Sequence, residues 1–338
     1  MRIGRYDLWN EYDSIAAVLG SHSRALKSAY ASAKANNPIQ CWEFAKDSLM
    51  EFGCSPQQAE QLMTIKKDLR QLDICRTLDP SVHVLRAYLG RCAYRHRLGL
   101  RMNPISIQAE QCIGSGIVSV GPDELELTDK LRDDIARELT SAPSTLSKNP
   151  SNMVLSQGGN SRAGYESCHA LLKLIIPLLS EITGYTQMHL REELANTAFV
   201  QKVVNGPEDN DIQKVLHQDT WFDAWKFWYF PHDVYEGDGP FRFATYSHGL
   251  SSARLRLMKE FATPDRKWES WRSAGHDEGS WRVSDDELIS MDEGAYDVPC
   301  SAGTLVIANV YAYHARGLAN QVKERIALHG SIRMNPWT

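Results

Sequence analysis

Along roughly the first 110 residues, apolar positions recur at helical spacing. Ser14 to Lys34 is Ala-rich with that period. Ser55-Pro56-Gln57-Gln58 has the form of a helix start, with Ser as N-cap and Pro at the first position, and its helix should run through Met63 and Leu69. Ser81 to Leu89 predicts another helix opened by Ser. Gly114 to Val120 then reads as a short strand, Pro122 to Leu139 as a charged helix, and Ser141 to Asn152 as a polar loop containing proline. Glu166 to Thr183 is a strongly apolar helix with Pro177 as a kink. Beyond about Ala195 the chain breaks into short strands separated by turns: Phe199–Val204, Ala224–Phe230, Arg242–Tyr246, Thr304–Asn309 and Arg325–Ile332, with Pro299 and Gly303 marking the entry to the fourth. Helices first and many short strands later predict an α+β chain. Its expected core is a double-stranded β-helix (a jelly-roll or cupin-like barrel) with flanking helices. The expected division is a helical N-terminal extension, 1–112, packing on a barrel, 113–338.

Composition narrows the class. The chain has 338 residues, 43% hydrophobic and 23% charged, with a net charge of −5, so nothing favours a nucleic-acid partner. Seven cysteines, an odd number with no CxxC pair, fit a reduced protein better than a disulfide scaffold. The N-terminal residues carry charges and no apolar signal-peptide segment, no apolar run reaches membrane-spanning length, and MNPWT is not a peroxisomal tripeptide. The expectation is a cytoplasmic protein without a membrane partner.

Candidate chemistry centres on Leu216-His217-Gln218-Asp219-Thr220. On a strand, positions i and i+2 share a face, so His217 and Asp219 can reach one point. An imidazole and a carboxylate are two-thirds of a 2-His-1-carboxylate facial triad, which leaves open positions on iron(II) for a chelating co-substrate and dioxygen. His314, 97 residues after His217 and just past the Thr304 strand, is the best third ligand. Arg325 follows 11 residues later, where a hairpin partner strand would begin, and its planar fork suits a carboxylate. Along that strand Arg325, Ala327, His329, Ser331 and Arg333 share one face, while Ile326, Leu328 and Ile332 share the other.

The order of these pieces resembles the phytanoyl-CoA dioxygenase-like branch of iron(II)/2-oxoglutarate oxygenases. They are His217-Gln218-Asp219, Gly239-Pro240-Phe241-Arg242, Ser247-His248, Gly303-Thr304-Leu305, His314 and Arg325. The likeness spans about residues 115 to 338. It implies an enzyme whose cofactors are Fe(II), 2-oxoglutarate as co-substrate, and O2. His217, Asp219 and His314 would be the metal and catalytic residues, and Arg325 would bind the far carboxylate of 2-oxoglutarate. By the same analogy Gln201 would donate to 2-oxoglutarate, and Thr220 is a further candidate beside the ligands. Where the family has Gly-Ser-His, this chain has Tyr246-Ser247-His248, and that His is not a ligand in the family. Halogenases of this type lack the carboxylate, so Asp219 implies hydrogen abstraction followed by hydroxylation, desaturation or ring closure. The expected substrate is a small molecule, an amino acid or a natural-product intermediate. A cupin-like metalloprotein using the triad without 2-oxoglutarate, and a silent binding relative, are the alternatives.

Other residues stay open at this level. The aromatic run Trp221 to Phe230 reads first as barrel core, with some members free to line a pocket. Lys226 interrupts it and is read as facing solvent from an edge rather than aimed into the pocket. Arg316 could meet an anionic substrate group or solvent. His232 and His276 read as surface residues, and His329 as standing behind the ligands. The helical extension is longer than a core of this kind needs and is a candidate for capping the barrel, shaping the pocket or making a homodimer contact.

Overall fold

A computed structural model of the chain describes residues 11–19, 38–64, 79–99, 105–142, 153–156, 165–207, 211–261, 281–291 and 294–334. Its helices are α1 (Glu11–Leu19), α2 (Pro38–Glu51), α3 (Pro56–Thr64), α4 (Ser81–Gly99), α5 (Ile107–Ser115), α6 (Asp129–Ser141), α7 (Glu166–Thr183), α8 (Gln187–Thr197), α9 (Ser252–Phe261) and α10 (Asp285–Ile289). Its strands are β1 (Ile117–Val120), β2 (Met153–Ser156), β3 (Phe199–Asn205), β4 (His217–Gln218), β5 (Trp225–Phe230) and β6 (Phe241–Ala244). They continue with β7 (Trp281–Arg282), β8 (Ala295–Val298), β9 (Thr304–Asn309), β10 (His314–Arg316) and β11 (Lys323–Ile332).

The strands form two antiparallel sheets, of order β1-β9-β5-β11-β3-β2 and β7-β4-β10-β6-β8. Alternation along the strands assigns the faces of the larger sheet. Trp225, Phe227 and Tyr229 of β5, Leu305 and Ile307 of β9, and Leu328 and Ile332 of β11 join a core shared with α5 to α8. Their neighbours Trp228, Phe230, Val306, Ala308 and Ala327 instead join Phe241, Phe243 and Val298 of the smaller sheet. The second core therefore lies between the sheets, and each large side chain it takes from water contributes about 1.5–3 kcal/mol. A third core joins α1 to α4 and α9 to the back of the smaller sheet through Leu216, Ala244, Tyr311, Tyr313 and Ala315.

Several boundaries differ from the sequence reading. The strand expected from Gly114 begins at Ile117, because α5 runs through Ser115 and ends on Gly116 in the left-handed region, φ 87°. The helix expected from Pro122 begins at Asp129: residues 122–126 form a turn, Glu126 has φ 52°, and the Thr128 side chain accepts from Leu131 N. The helix expected to end at Leu89 continues to Gly99. Its later arginines look solvated in sequence, yet Arg91, Arg95 and Arg97 are buried. Arg95 and Arg91 pair with Glu11 of α1, Arg91 also with Asp223, and Arg97 stacks on Tyr185. The helix over Glu166–Thr183 matches its expected bounds and contains Pro177.

Leu69, most of the Ser14–Lys34 helix, residues 143–152 of the expected loop, Cys75 and His276 lie outside the described residues, as does the Cys41 side chain. The other five cysteines are buried and none is in a disulfide among the described residues. Among the described residues no single helix is long and apolar enough to cross a membrane; α7 and α8 pass such a test only as a pair bent by 114°.

Candidate metal centre

β4 and β10 are neighbours in the smaller sheet, and His217 and His314 are direct register partners. Their rings lie 4.6 Å apart, centroid to centroid. Asp219 follows β4, and its backbone N–H donates to Val310 O at 2.9 Å, just beyond β9. This brings the carboxylate against both rings: His217 Nε2 is 3.7 Å from Oδ1 and His314 Nε2 is 3.6 Å from Oδ2. One ligand atom from each residue lies within 4.8 Å of the others, and this is the set of His, Cys, Asp and Glu among the described residues that could hold a metal.

The hydrogen bonding around the rings fits metal ligation. His217 Nδ1 pairs with Val215 O at 2.8 Å and His314 Nδ1 with Ala312 O at 3.0 Å. A carbonyl accepts, so each Nδ1 carries a proton and each Nε2 is the ring nitrogen turned towards Asp219, the arrangement ligating histidines adopt. Burial, then the nearby His314, push His217 well below the usual imidazole range, which keeps it neutral. Burial alone would raise the Asp219 carboxyl; Lys226 and Arg333 outweigh it and hold the group well below the usual carboxylate range.

Those two cations were not legible as site residues. Lys226 Nζ lies 2.6 Å and Arg333 Nη2 2.5 Å from Asp219 Oδ2. The sequence placed Lys226 on a solvent-facing edge. Instead β5 lies between β9 and β11 and has no free edge, and position 226 shares the inner face with Trp228 and Phe230. Arg333 extends the inner face of β11 that the alternation had marked, but no local feature gave it a partner 114 residues away.

Arg325 lies on the same inner face, two residues from Ala327 and four from His329. β11 does not make the expected hairpin with β10; it crosses to the larger sheet and pairs with β3 and β5. Arg325 is partly buried and donates to Gly239 O at 2.5 Å, with its guanidinium 5.7 Å from the Phe230 ring. Among the described residues no carboxylate pairs with it. Burial, then the neighbouring Arg316, push its pKa down to about 9. Arg316 itself is ion-paired with Asp211 at 2.5 Å, which answers whether it faces solvent. Gly239 presents its carbonyl from φ 70°, and a Cβ there would stand 1.5 Å from Asn205 Nδ2.

Trp228, Gln201 and His329 share the inner face of the larger sheet with Arg325, against Phe241 of the smaller sheet. Gln201 Oε1 accepts from Trp228 Nε1 at 3.2 Å, and Gln201 is in register with Ala327. Trp228 packs on Phe241 at 4.6 Å and edge-on to His329 at 5.2 Å, and Phe241 lies 5.8 Å from His314. Thr220 is buried, and its hydroxyl donates to Phe222 O at 2.7 Å, tying the turn after Asp219. His248 is buried with Nε2 3.2 Å from Ile113 O, away from the triad. Tyr246, at the position of the family glycine, has φ 64°, a conformation a bulky residue rarely adopts. His232 is exposed.

No family model matches the chain, and no curated protein matches it. Solved structures do. The non-heme alpha ketoglutarate dependent epimerase SnoN from nogalamycin biosynthesis is 14% identical, with a TM-score of 0.38 over 66% of this chain and 80% of that one. AviO1 from Streptomyces viridochromogenes Tue57 is 11% identical, with a TM-score of 0.38 over 68% and 96%. HygX from Streptomyces hygroscopicus, solved with nickel and 2-oxoglutarate bound, is 11% identical, with a TM-score of 0.36 over 68% and 87%. Likenesses of this size carry no argument about reaction or substrate.

Proposed function

We propose that the chain is an iron(II)/2-oxoglutarate-dependent oxygenase of the phytanoyl-CoA dioxygenase-like type, built on a double-stranded β-helix and acting on a small molecule. The convergence of His217, Asp219 and His314, with both Nδ1 atoms bound to backbone carbonyls, carries this reading. Two imidazoles and one carboxylate are the donor set that suits a divalent iron with open positions. Iron(II) with 2-oxoglutarate and dioxygen supplies an oxidant able to take a hydrogen atom from an unreactive carbon.

The chain's own residues do the rest. The backbone bonds at Val215 and Ala312 fix which ring nitrogen faces the ion. Asp219 stays ionised because Lys226 and Arg333 stand against it. Arg325, a cation with no carboxylate of its own among the described residues, offers a fork to the far carboxylate of 2-oxoglutarate. Trp228, Phe241 and Phe230 belong to the buried apolar core between the sheets, at the face that carries Arg325. Gln201 shares that face from β3, and Thr220 serves the turn that carries Asp219. The substrate class proposed is an amino acid or natural-product intermediate, and the outcome hydroxylation, desaturation or ring closure.

The test is anaerobic addition of iron(II) and 2-oxoglutarate to the full chain. A visible charge-transfer band that needs both components, and that His314→Ala abolishes, is expected. No band at saturating iron(II) and 2-oxoglutarate overturns the assignment.

A further inference from the structure

The two cations on Asp219 do more than hold it ionised. Lys226 and Arg333 both approach a single oxygen, Oδ2, of the carboxylate that an ion would also share. A divalent metal bound there places two further positive charges beside them and draws on the same carboxylate. Their positions also differ from that of Arg325. The Arg333 side chain keeps 34% of its exposure and Lys226 17%, while His314 and His217 keep 5%. The Lys226–Arg333 end is therefore where the centre opens to solvent.

Polar atoms without partners lie along the same stretch. His329 Nδ1, Ser331 Oγ and Arg333 Nε are buried atoms with no hydrogen-bond partner among the described residues. His329 and Ser331 lie on the inner face of β11, Arg333 extends that face just past its end, and Ser331 is the register partner of Lys226. His329 is itself 4% exposed and wedged between Phe199, stacked at 4.7 Å, and Trp228. Buried polar atoms of this kind cost free energy until something hydrogen-bonds to them.

We propose that Lys226, Ser331 and Arg333, with His329 beneath them, form the substrate's recognition site at the mouth of the metal centre, and that the substrate presents an anionic oxygen group, a carboxylate or a phosphate, to it. This rests on the oxygenase reading above, and it assigns opposite ends of the inner face of β11 to two different anions. Arg325 takes the co-substrate's far carboxylate in depth. Arg333 and Lys226 take the substrate's charge at the mouth. Arg is suited to a forked grip on either group, and Lys adds a point charge. Anchoring the charge here would leave the uncharged part of the substrate over the triad.

The experiment uses the full chain loaded with Mn(II), a redox-stable paramagnetic ion, and saturating 2-oxoglutarate, with binding of both first established by calorimetry. Propionate, inorganic phosphate and, as neutral control, propionamide are then added as probes. Nuclear relaxation of the probe, ¹H for propionate and propionamide and ³¹P for phosphate, reports proximity to Mn(II). Enhanced relaxation of propionate or phosphate but not propionamide is expected, and which anion responds separates carboxylate from phosphate recognition. Lys226→Gln combined with Arg333→Gln should cut that enhancement, per bound Mn(II), at least tenfold. Arg333→Lys alone should retain part of it.

Enhancement that persists in the double variant, or that propionamide shows equally, overturns the proposal. So does a double variant that stays folded but loses Mn(II), which would make the two cations supports for Asp219 alone. Failure of Mn(II) and 2-oxoglutarate to bind the wild-type chain overturns the oxygenase reading and this proposal together. Binding of both with no response to either anion overturns this proposal only.

Discussion

Replacing Arg325 by Gln should move stability and ligand affinity in opposite directions. A guanidinium holding a carboxylate through two charge-assisted hydrogen bonds loses about 2–4 kcal/mol of binding when truncated, since each such bond is worth roughly 1.5–3 kcal/mol and the site is only partly buried. At about 1.4 kcal/mol per decade, 2-oxoglutarate should bind about 30- to 700-fold more weakly. Without ligand the sign reverses. Burial and Arg316 push the Arg325 pKa down to about 9 in the folded chain. A base whose folded pKa is depressed is protonated more readily unfolded, so its charge disfavours folding at every pH below about 9, and the penalty fades only as pH rises from there towards the ordinary guanidinium range. Discounted for solvent screening, Arg325→Gln should gain on the order of 1 kcal/mol at pH 7, less what the unsatisfied Gly239 carbonyl takes back. The assay is calorimetric titration of 2-oxoglutarate into Ni(II)-loaded protein, paired with urea unfolding of the metal-free chain. A variant binding 2-oxoglutarate within threefold of wild type would refute the role of Arg325 and favour a cupin-like protein that does without the co-substrate. A destabilised variant that also loses binding would refute the electrostatic argument.

Gly239→Ala should weaken 2-oxoglutarate binding at least tenfold and destabilise the chain by about 2–4 kcal/mol, because the new Cβ collides with Asn205 at a position of φ 70° and displaces the carbonyl that Arg325 holds; unfolding and titration together check it. Arg254→Met should lower metal affinity about tenfold, read by Mn(II) titration, since Arg254 Nη2 ties Gln218 Oε1 at 2.8 Å to Tyr311 O at 2.7 Å and so joins the chain around both ligand histidines. Glu11→Gln should cost about 3–5 kcal/mol in urea unfolding, because it leaves Arg91 and Arg95 charged inside the protein; a change below 1 kcal/mol would mean that α1 does not pack where the structure places it.

The elements most legible in sequence are those whose pattern answers to one neighbour. Thr304–Asn309 and Glu166–Thr183 have the bounds the pattern assigns, and β5 and β11 alternate as expected: the strands face a helix layer on one side and the inter-sheet core on the other, and the helix packs into that layer alone. The smaller sheet is harder to read. β4 and β7 have two residues each and β10 three, too short for a period to show. Nor does alternation say which sheet a strand joins. The hairpin expected between His314 and Arg325 is a crossing between sheets, and the face assigned to Arg325 was right although its pairing was not. α4 runs past its expected end for another reason: burial on all sides erases the amphipathic stripe, and its arginines are accommodated by Glu11, Asp223 and aromatic rings distant in sequence.

The convergence of His217, Asp219 and His314 is readable in sequence because residues that could hold one metal are constrained in both type and spacing; the groups behind them are constrained in neither. Behind the ligands, Arg254 spans Gln218 and the Tyr311 carbonyl, stacked on Tyr311 and Tyr313 at 4.3 and 4.6 Å. Deeper still, Arg91 pairs with Asp223 at 2.9 Å, Asn309 donates to Asp223 at 2.6 Å, and Tyr311 N donates to Asn309 Oδ1 at 3.0 Å. Asp223 follows Asp219 by four residues and Asn309 precedes His314 by five, so one buried network reaches both halves of the metal centre. Buried ion pairs add little net stability against apolar packing of the same volume, which makes stability alone a poor reason for so much charge here. Apolar packing tolerates small shifts between strands, whereas a carboxylate shared by an arginine and an asparagine has few arrangements that satisfy all three. Gln218 lies on β4 beside His217 and Tyr311 precedes β10, so the bonds of Arg254 and of Asp223 tie together the segments that carry His217, Asp219 and His314, whose side chains converge on one point.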